Sequence, residues 1–486
     1  MPTPTDLMRQ SPHDTAAGRR SDLVQLTINR PRPREWAPSR FNARARSSDG
    51  SLVLWNTYTG AITAFKSSDA PLVERLLSQR GFTGELSGLT KYLHDRGFIV
   101  PKDSDEYRRF QLTFGEQHYR TNTLQLILLA SEDCNFRCTY CYERFARGTM
   151  LPEVRQGVKN LIAKRAPGLA SLQISWFGGE PLYGWNAIED LAPFCLDIAR
   201  QHSITYRSSM TTNGYLLTPD VAEKLIQWEV RSFQITLDGL AEDHDRKRKG
   251  RDGRGTFDVI LSNLKALQRR KDEYSVSLRV NFDRDNYPNL ERFLDVLRDD
   301  FAGDDRFRLS LHAVGKWGGP NDSALDVCGR DEAQEVRERV HSAAVERGLS
   351  VRRGGVKDIN RPGKSVCYAA RPFNFIVGAD GKLMKCTVAL DTKDYNIVGR
   401  LSPDGEMELD LDKLALWVQP AFENDTTCRA CYFVPVCQGM RCPLIRIEDK
   451  RRPCPPTKHH LKSELLSTLA LHKERGRQLV IRGERQ

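Results

Sequence analysis

No stretch of this 486-residue chain approaches the roughly 18 to 20 consecutive apolar residues that cross a bilayer, which sets aside a membrane-spanning helix. Nor do residues 1–40 hold the apolar core of a secretory signal, being polar and basic with scattered Pro and Ser, so a cytoplasmic location is expected. In that reducing setting the twelve cysteines do not read as a disulfide framework, and ten of them fall into spaced groups, which favours metal. Apolar residues make up 39% and charged residues 28%, the balance of a soluble globular protein, and the length suggests two to four domains. The formal charge of +11 raises the question of nucleic acid. Much of it lies in Arg30, Arg32, Arg34, Arg40, Arg44 and Arg46 and in "DRKRKGRDGRG" (245–255), which read as a basic tail and a solvated loop. A basic surface suits an acidic peptide equally well, and nucleic acid is not the favoured partner.

Residues 1–38 lack hydrophobic periodicity and read as a disordered basic tail. The unit 39–105 opens with "SLVLWN" (51–56) and "AITAF" (61–65), two strand-like runs joined by the turn "TYTG", so a hairpin is expected. Helical spacing follows at Leu72, Val73, Leu76 and Leu77 and again at Leu86, Leu89 and Leu93, stopping at Gly97 before "FIV". Between 120 and 330, six apolar runs alternate with helical patterns: "TLQLILLA" (123–130), "LQISWF" (172–177), "TYRSSMTT" (205–212), "SFQITL" (232–237), "SVSLRVN" (275–281) and "FRLSLHAV" (307–314). Such repeats predict an α/β fold, a parallel sheet with outer helices curled into a partial (β/α)6 barrel, with ligands at the carboxyl ends of the strands. Residues 331–460 are turn-rich and cysteine-rich, with too little periodic apolar structure to fold convincingly without bound metal, and residues 461–486 hold a last helix and tail.

Just after the first run, "CNFRCTYCY" supplies Cys134, Cys138 and Cys141 on one loop, with no fourth Cys or His beside them. Three thiolates can hold three irons of a cubane cluster and leave the fourth iron without a protein ligand, an open site where chemistry happens. A zinc knuckle is the alternative. The motif resembles that of the radical S-adenosylmethionine (radical SAM) superfamily. That resemblance implies a 4Fe-4S cluster, S-adenosylmethionine as cofactor, and a 5'-deoxyadenosyl radical that abstracts hydrogen. It also implies a place for Tyr140 near the cofactor. "FGGEP" resembles the family's Gly-Gly-Glu motif, so Gly178, Gly179 and Glu180 are expected at the cofactor's amino group. "TTNG" places Thr212 and Asn213 for the ribose, and "TLDGLAEDHDRKR" resembles a family segment that nominates Asp238, His244 and Arg248. For those three, capping and ion pairing are an equal alternative. Arg279 and Asn281, on the fifth run, are expected at the same site. No catalytic base stands out.

Cys367, Gly381 and Cys386, followed by "CRACYFVPVCQGMRC" and Cys454, resemble the SPASM extension, which carries two further 4Fe-4S clusters. The resemblance implies one cluster on Cys428, Cys431, Cys437 and Cys454 and another on Cys367, Cys386 and Cys442. Four residues separate Cys437 from Cys442 where the family usually has three. The second set lacks a fourth ligand; Cys328, an exogenous group, a substrate thiol or another side chain are the candidates, although Cys328 reads rather as a small buried hydrophobe. Cys195, on an apolar helical pattern, reads as core. Residues 41–100 also resemble the peptide-recognition element of peptide-modifying enzymes, which would pair a leader peptide with the hairpin edge; a structural cap is the comparable alternative.

The expectation is thus a peptide-modifying maturase that installs thioether or carbon–carbon crosslinks, supplied with electrons by a flavodoxin or ferredoxin. Formylglycine formation of the anaerobic sulfatase-maturase type is the enzymatic alternative, and a zinc-binding nucleic-acid protein the non-enzymatic one.

Overall fold

The computed structural model describes residues 35–145, 147–352, 356, 359, 361–474 and 480–481. The expected tail therefore lies outside the described residues as far as residue 34. From Glu35 the chain is already ordered: Glu35–Pro38 is a strand paired antiparallel with Phe82–Thr83 on one side and Ile99–Pro101 on the other.

Alternation of apolar and polar residues produces the central sheet. In Ser171–Gly178, Leu172, Ile174 and Trp176 turn to the helices, while Ser171, Gln173 and Ser175 stay only partly covered on the inner face. The first barrel strand, Thr123–Ser131, is apolar on both faces. Leu124, Leu126 and Leu128 pack toward the helices, and Ile127 and Leu129 pack against Ile376, Met384 and Leu390. Four further strands, Thr205–Thr212, Val230–Thr236, Ser275–Phe282 and Phe307–Ala313, continue the sheet in chain order, all parallel. Helices Pro152–Arg165, Trp185–Gln201, Pro219–Gln227, Phe257–Gln268 and Leu290–Phe301 cover the outside. Strands in simple succession with helices on one face form the expected curled partial barrel.

The sheet runs on at both edges. Ser350–Val351 pairs parallel with the sixth barrel strand, led there by helix Arg330–Glu346, whose Val336, Val340 and Ala344 join the barrel's core. At the other edge Asn374–Val377 pairs parallel with the first strand, and Lys382–Met384, Ile397–Leu401 and Met407–Leu409 follow antiparallel. Among the described residues eleven strands thus form one sheet, and the cysteine-rich region is anchored to the barrel by backbone pairing.

The hairpin is present as Leu52–Asn56 and Ile62–Phe65, joined by Asn42–Arg46 on its far side. Its sheet packs on the cysteine-rich region: Trp55 meets Phe433 edge-on at 5.5 Å, in a core shared with Leu465 and Leu469 of helix Leu461–Glu474.

Helix Glu106–His118, polar in composition, joins the hairpin unit to the barrel by burying Phe110 and Phe114 against Phe41 and Phe422. His118 stacks on Phe114 at 4.7 Å, and its Nε2 bonds the Val418 carbonyl at 3.0 Å. Burial lowers its pKa to about 4, so the folded state holds a neutral ring while the unfolded chain takes up a proton near pH 6.5. That contribution to stability is complete above pH 6.5 and is lost as pH falls toward 4, by up to about 1.4 kcal/mol per pH unit. Denaturant titrations at pH 7.5 and 4.5 should show a smaller loss for His118→Gln than for the parent chain.

Candidate active site

The loop after the first barrel strand is held from both sides. Phe136–Cys138 pairs antiparallel with Arg248–Gly250, and the Cys141 amide closes a turn onto the Cys138 carbonyl at 3.1 Å. The Phe136 amide donates to Cys134 Sγ at 3.3 Å, the type of contact that tunes a cluster sulfur. All three thiols are pushed up by burial, Cys141 to about 12, so at neutral pH they are protonated and metal loading must release protons.

Gly178 and Gly179 bring the second strand against this loop. Gly178 has φ +127°, and a Cβ there would stand 2.0 Å from the Ser131 carbonyl oxygen; one on Gly179 would stand 2.6 Å from that of Asp133. The amides of Gly179 and Glu180 bond those same two carbonyls at 3.1 and 3.0 Å. The glycines are thus required for contact with the cysteine loop.

Glu180 stands differently from its expected role at the amino group. Its carboxylate is fully buried and accepts from the Leu182 amide (3.0 Å), Thr212 Oγ1 (2.7 Å) and the Asn213 amide (2.7 Å), and it does not line the cavity. It ties the ends of the second and third strands together. Burial raises its pKa to about 7 against those three donors, which favour the ionised form. Glu180→Gln would turn an amide N–H toward a donor, so a loss of about 1–3 kcal/mol in unfolding free energy is expected from denaturant melts.

Thr212 and Asn213 line the cavity, but their side chains are also engaged within the protein: Thr212 with Glu180, and Asn213 Nδ2 with Asn135 Oδ1 at 2.7 Å. Asp238 is buried, accepting from the Tyr140 hydroxyl and from the Asn281 amide at 2.7 Å. The Tyr140 hydroxyl also accepts from Arg248 at 2.7 Å and Asn281 Nδ2 at 3.2 Å, and Asn281 Oδ1 accepts from Arg279 Nε at 2.8 Å. Tyr140 is therefore fixed by the fourth and fifth strands and by the segment after helix Ala241–Lys247. His244 is structural: its Nδ1 accepts from the Asp238 amide at 3.2 Å and its Nε2 bonds Thr256 Oγ1 at 3.1 Å.

Cys134, Cys138, Cys141, Tyr140, Gly178, Gly179 and Arg248 share the wall of one cavity of about 200 Å³ at the carboxyl ends of the strands. Arg248 is one of these lining residues, and its Nε is buried without a partner, an orphan donor that suits a cofactor carboxylate. The sequence reading missed Tyr142, Glu143, Gln234, Thr236 and Trp317 on this wall. Trp317, 56% exposed, comes from the irregular loop after the sixth strand, where no motif marks it.

The distant cysteines also group. Cys386 lies in the electrostatic field of Cys367 and Cys442, and Cys437 in that of Cys431, Cys428 and Cys454. Before Cys442 the chain turns at Gln438 (φ 51°) and Gly439 (φ 65°), and the Met440 carbonyl accepts from the Cys367 amide at 3.0 Å. Cys328 stands among Glu332, Asp283 and Arg284, beyond the fifth barrel strand. Cys195 is buried in core, as expected. Among the described residues no three or more His, Cys, Asp or Glu close around a single metal ion.

Residues 128–297 match the radical SAM superfamily, which defines the class: this chain carries a radical SAM domain and is an enzyme, and such a domain implies a 4Fe-4S cluster and S-adenosylmethionine. Over 335 residues it is 26% identical to a cysteine-type anaerobic sulfatase-maturating enzyme of Clostridium novyi (strain NT), covering 65% of this chain and 86% of that protein. It is 23% identical over 287 residues to the radical SAM cyclopropyl synthase TigE of Paramaledivibacter caminithermalis, covering 53% of this chain and 59% of TigE. A solved structure, polyhistidine-tagged anSMEcpe with bound AdoMet, shares the fold with a TM-score of 0.52 at 16% identity, over 72% of this chain and 94% of that one. The zinc-binding, non-enzymatic reading gives way to this match. Among the described residues no helix is long and apolar enough to cross a membrane.

Proposed function

We propose that this enzyme is a peptide or protein maturase that forms a thioether or carbon–carbon crosslink, using two auxiliary 4Fe-4S clusters beside the first. The observation that carries the reading is the grouping of seven C-terminal cysteines into a trio and a quartet, each assembled from separated parts of the sequence. When bound, the cluster on Cys134, Cys138 and Cys141 supplies an electron, and S-adenosylmethionine supplies the hydrogen-abstracting radical. The chain's own residues orient that cofactor: Arg248 offers its free Nε, Tyr140 is held by Asp238, Arg248 and Asn281, and Gly178 and Gly179 keep the second strand against the loop. Cys428, Cys431, Cys437 and Cys454 would hold one auxiliary cluster and Cys367, Cys386 and Cys442 the other, to which a substrate thiol or an added ligand would contribute a further donor. An oxidative crosslink releases electrons, and clusters with potentials of roughly −700 to +450 mV can accept them. A flavodoxin or ferredoxin is the proposed electron donor, and the hairpin unit the proposed docking element for a leader peptide.

Formylglycine formation is the second reading, favoured by the similarity to the Clostridium novyi sulfatase-maturating enzyme. Mass spectrometry of a precursor peptide encoded beside the gene separates the two. Loss of two hydrogens with a fragmentation-resistant ring supports crosslinking, whereas a hydrazide-reactive aldehyde supports formylglycine. If cofactor is cleaved while neither change occurs in that peptide, it is not the substrate.

A further inference from the structure

The hairpin sheet has a fourth strand, and it comes from the other end of the chain. Val480–Ile481 lies antiparallel along Ile62–Phe65, with Val480 opposite Thr63 and Ile481 opposite Ile62. Helix Leu461–Glu474 leads toward it across one face of the sheet, where Leu465 and Leu469 pack with Ala43, Ala45, Val53, Trp55 and Ile62.

The two edges of this sheet differ in chemistry. Asn42–Arg46 carries exposed Arg44 and Arg46, the latter paired with Glu74 at 3.2 Å, and charge of this kind discourages strand addition. Ile62–Phe65, sequence ITAF, carries no charge. Beside it stands Tyr92, its hydroxyl bonded to Thr63 Oγ1 at 2.6 Å and its ring edge-on to Phe65 at 6.0 Å. The receptive edge is therefore the one that residues 480–481 occupy.

We propose that the Ile62–Phe65 edge is a strand-addition site whose resident occupant is the chain's own residues 480–481, and that an incoming extended peptide of uncharged, strand-forming residues must displace them. This rests on the reading of the hairpin unit as a peptide-docking element. Two paired residues make a weak latch, since the net gain from each backbone hydrogen bond is small. Tethering by a packed helix nonetheless gives the latch a high effective concentration, enough to weaken every competing strand. Selectivity follows: peptides that pair along all four residues of Ile62–Phe65 displace the latch, and shorter or charged segments do not.

The test uses a fluorescein-labelled peptide of residues 475–486, RGRQLVIRGERQ, on three proteins: the full chain, a chain ending at residue 474, and full-length Val480→Pro/Ile481→Pro, in which neither residue can donate to the ladder. The expected result is binding to both variants at least about tenfold tighter than to the full chain, with faster amide exchange across residues 62–65 and unchanged iron content. Equal affinity for all three proteins, together with unchanged exchange at residues 62–65, would overturn the proposal. The substrate reading is separated by the precursor peptide. Displacement of the probe from the truncated chain supports it. A precursor that is modified normally yet never displaces the probe removes the docking role while leaving the tail pairing in place.

Discussion

Cys138→Ala is expected to abolish cleavage of S-adenosylmethionine to 5'-deoxyadenosine, a loss of at least about a thousandfold, while the chain stays folded. Three thiolates are the minimum that holds a cubane with one open iron, and removing one opens a second position and labilises the cluster. The interactions that shape the loop at this position are backbone ones, the pairing with Arg248 and the turn to Cys141, and alanine keeps both. The lost activity is therefore assignable to the thiol. Cys195→Ala is the matched control, a thiol buried in helix Trp185–Gln201 at no candidate site, and should leave cleavage near the parent rate. Cys431→Ala, in the quartet, should keep cleavage and lose peptide product. Chromatography of 5'-deoxyadenosine alongside mass analysis of the peptide reads all three.

Gly178→Ala should be as severe by a different route. Its φ of +127° is a conformation that L side chains rarely adopt, and the added methyl would overlap the Ser131 carbonyl oxygen at 2.0 Å. Strain alone is worth about 1–3 kcal/mol, and relief requires the second strand to withdraw from the cysteine loop. The Gly179 and Glu180 amides would then lose the Ser131 and Asp133 carbonyls, and Glu180 its register with Asn213. Cluster content, cofactor affinity and thermal stability should fall together. By contrast Gly168→Ala, where nothing lies within 4 Å of the added carbon, should change none of them.

The barrel was legible because its signals are local. "TYRSSMTT" matches the strand Thr205–Thr212, and "LQISWF" extends by one residue at each end to Ser171–Gly178. Periodicity decides such segments wherever one face is buried. Helix Glu106–His118 carried no comparable signal: two phenylalanines anchor it in an otherwise polar sequence, and their partners, Phe41 and Phe422, lie far off in the chain. The attachment of Asn374–Val377 to the first barrel strand is likewise a long-range pairing, invisible in a region that reads as turns.

At the site, motifs located residues better than roles. Of the residues in "FGGEP", Gly178 and Gly179 line the cavity, whereas the Glu180 carboxylate is spent on Leu182, Thr212 and Asn213. Asp238 and Arg248 both belong to the Tyr140 network, but only Arg248 keeps a buried donor without a partner. Which hydrogen bonds a buried polar group makes depends on strand register across the whole barrel, and no spacing in the sequence encodes that.

The most direct test of the account is the iron and acid-labile sulfide content of the full chain after anaerobic reconstitution, beside that of the Cys134/Cys138/Cys141→Ala triple variant. Three clusters predict about twelve irons in the parent and about eight in the variant, with matching sulfide. About four irons in the parent and none in the variant, or zinc at the C-terminal thiols, would contradict the claim that the trio and the quartet hold auxiliary clusters.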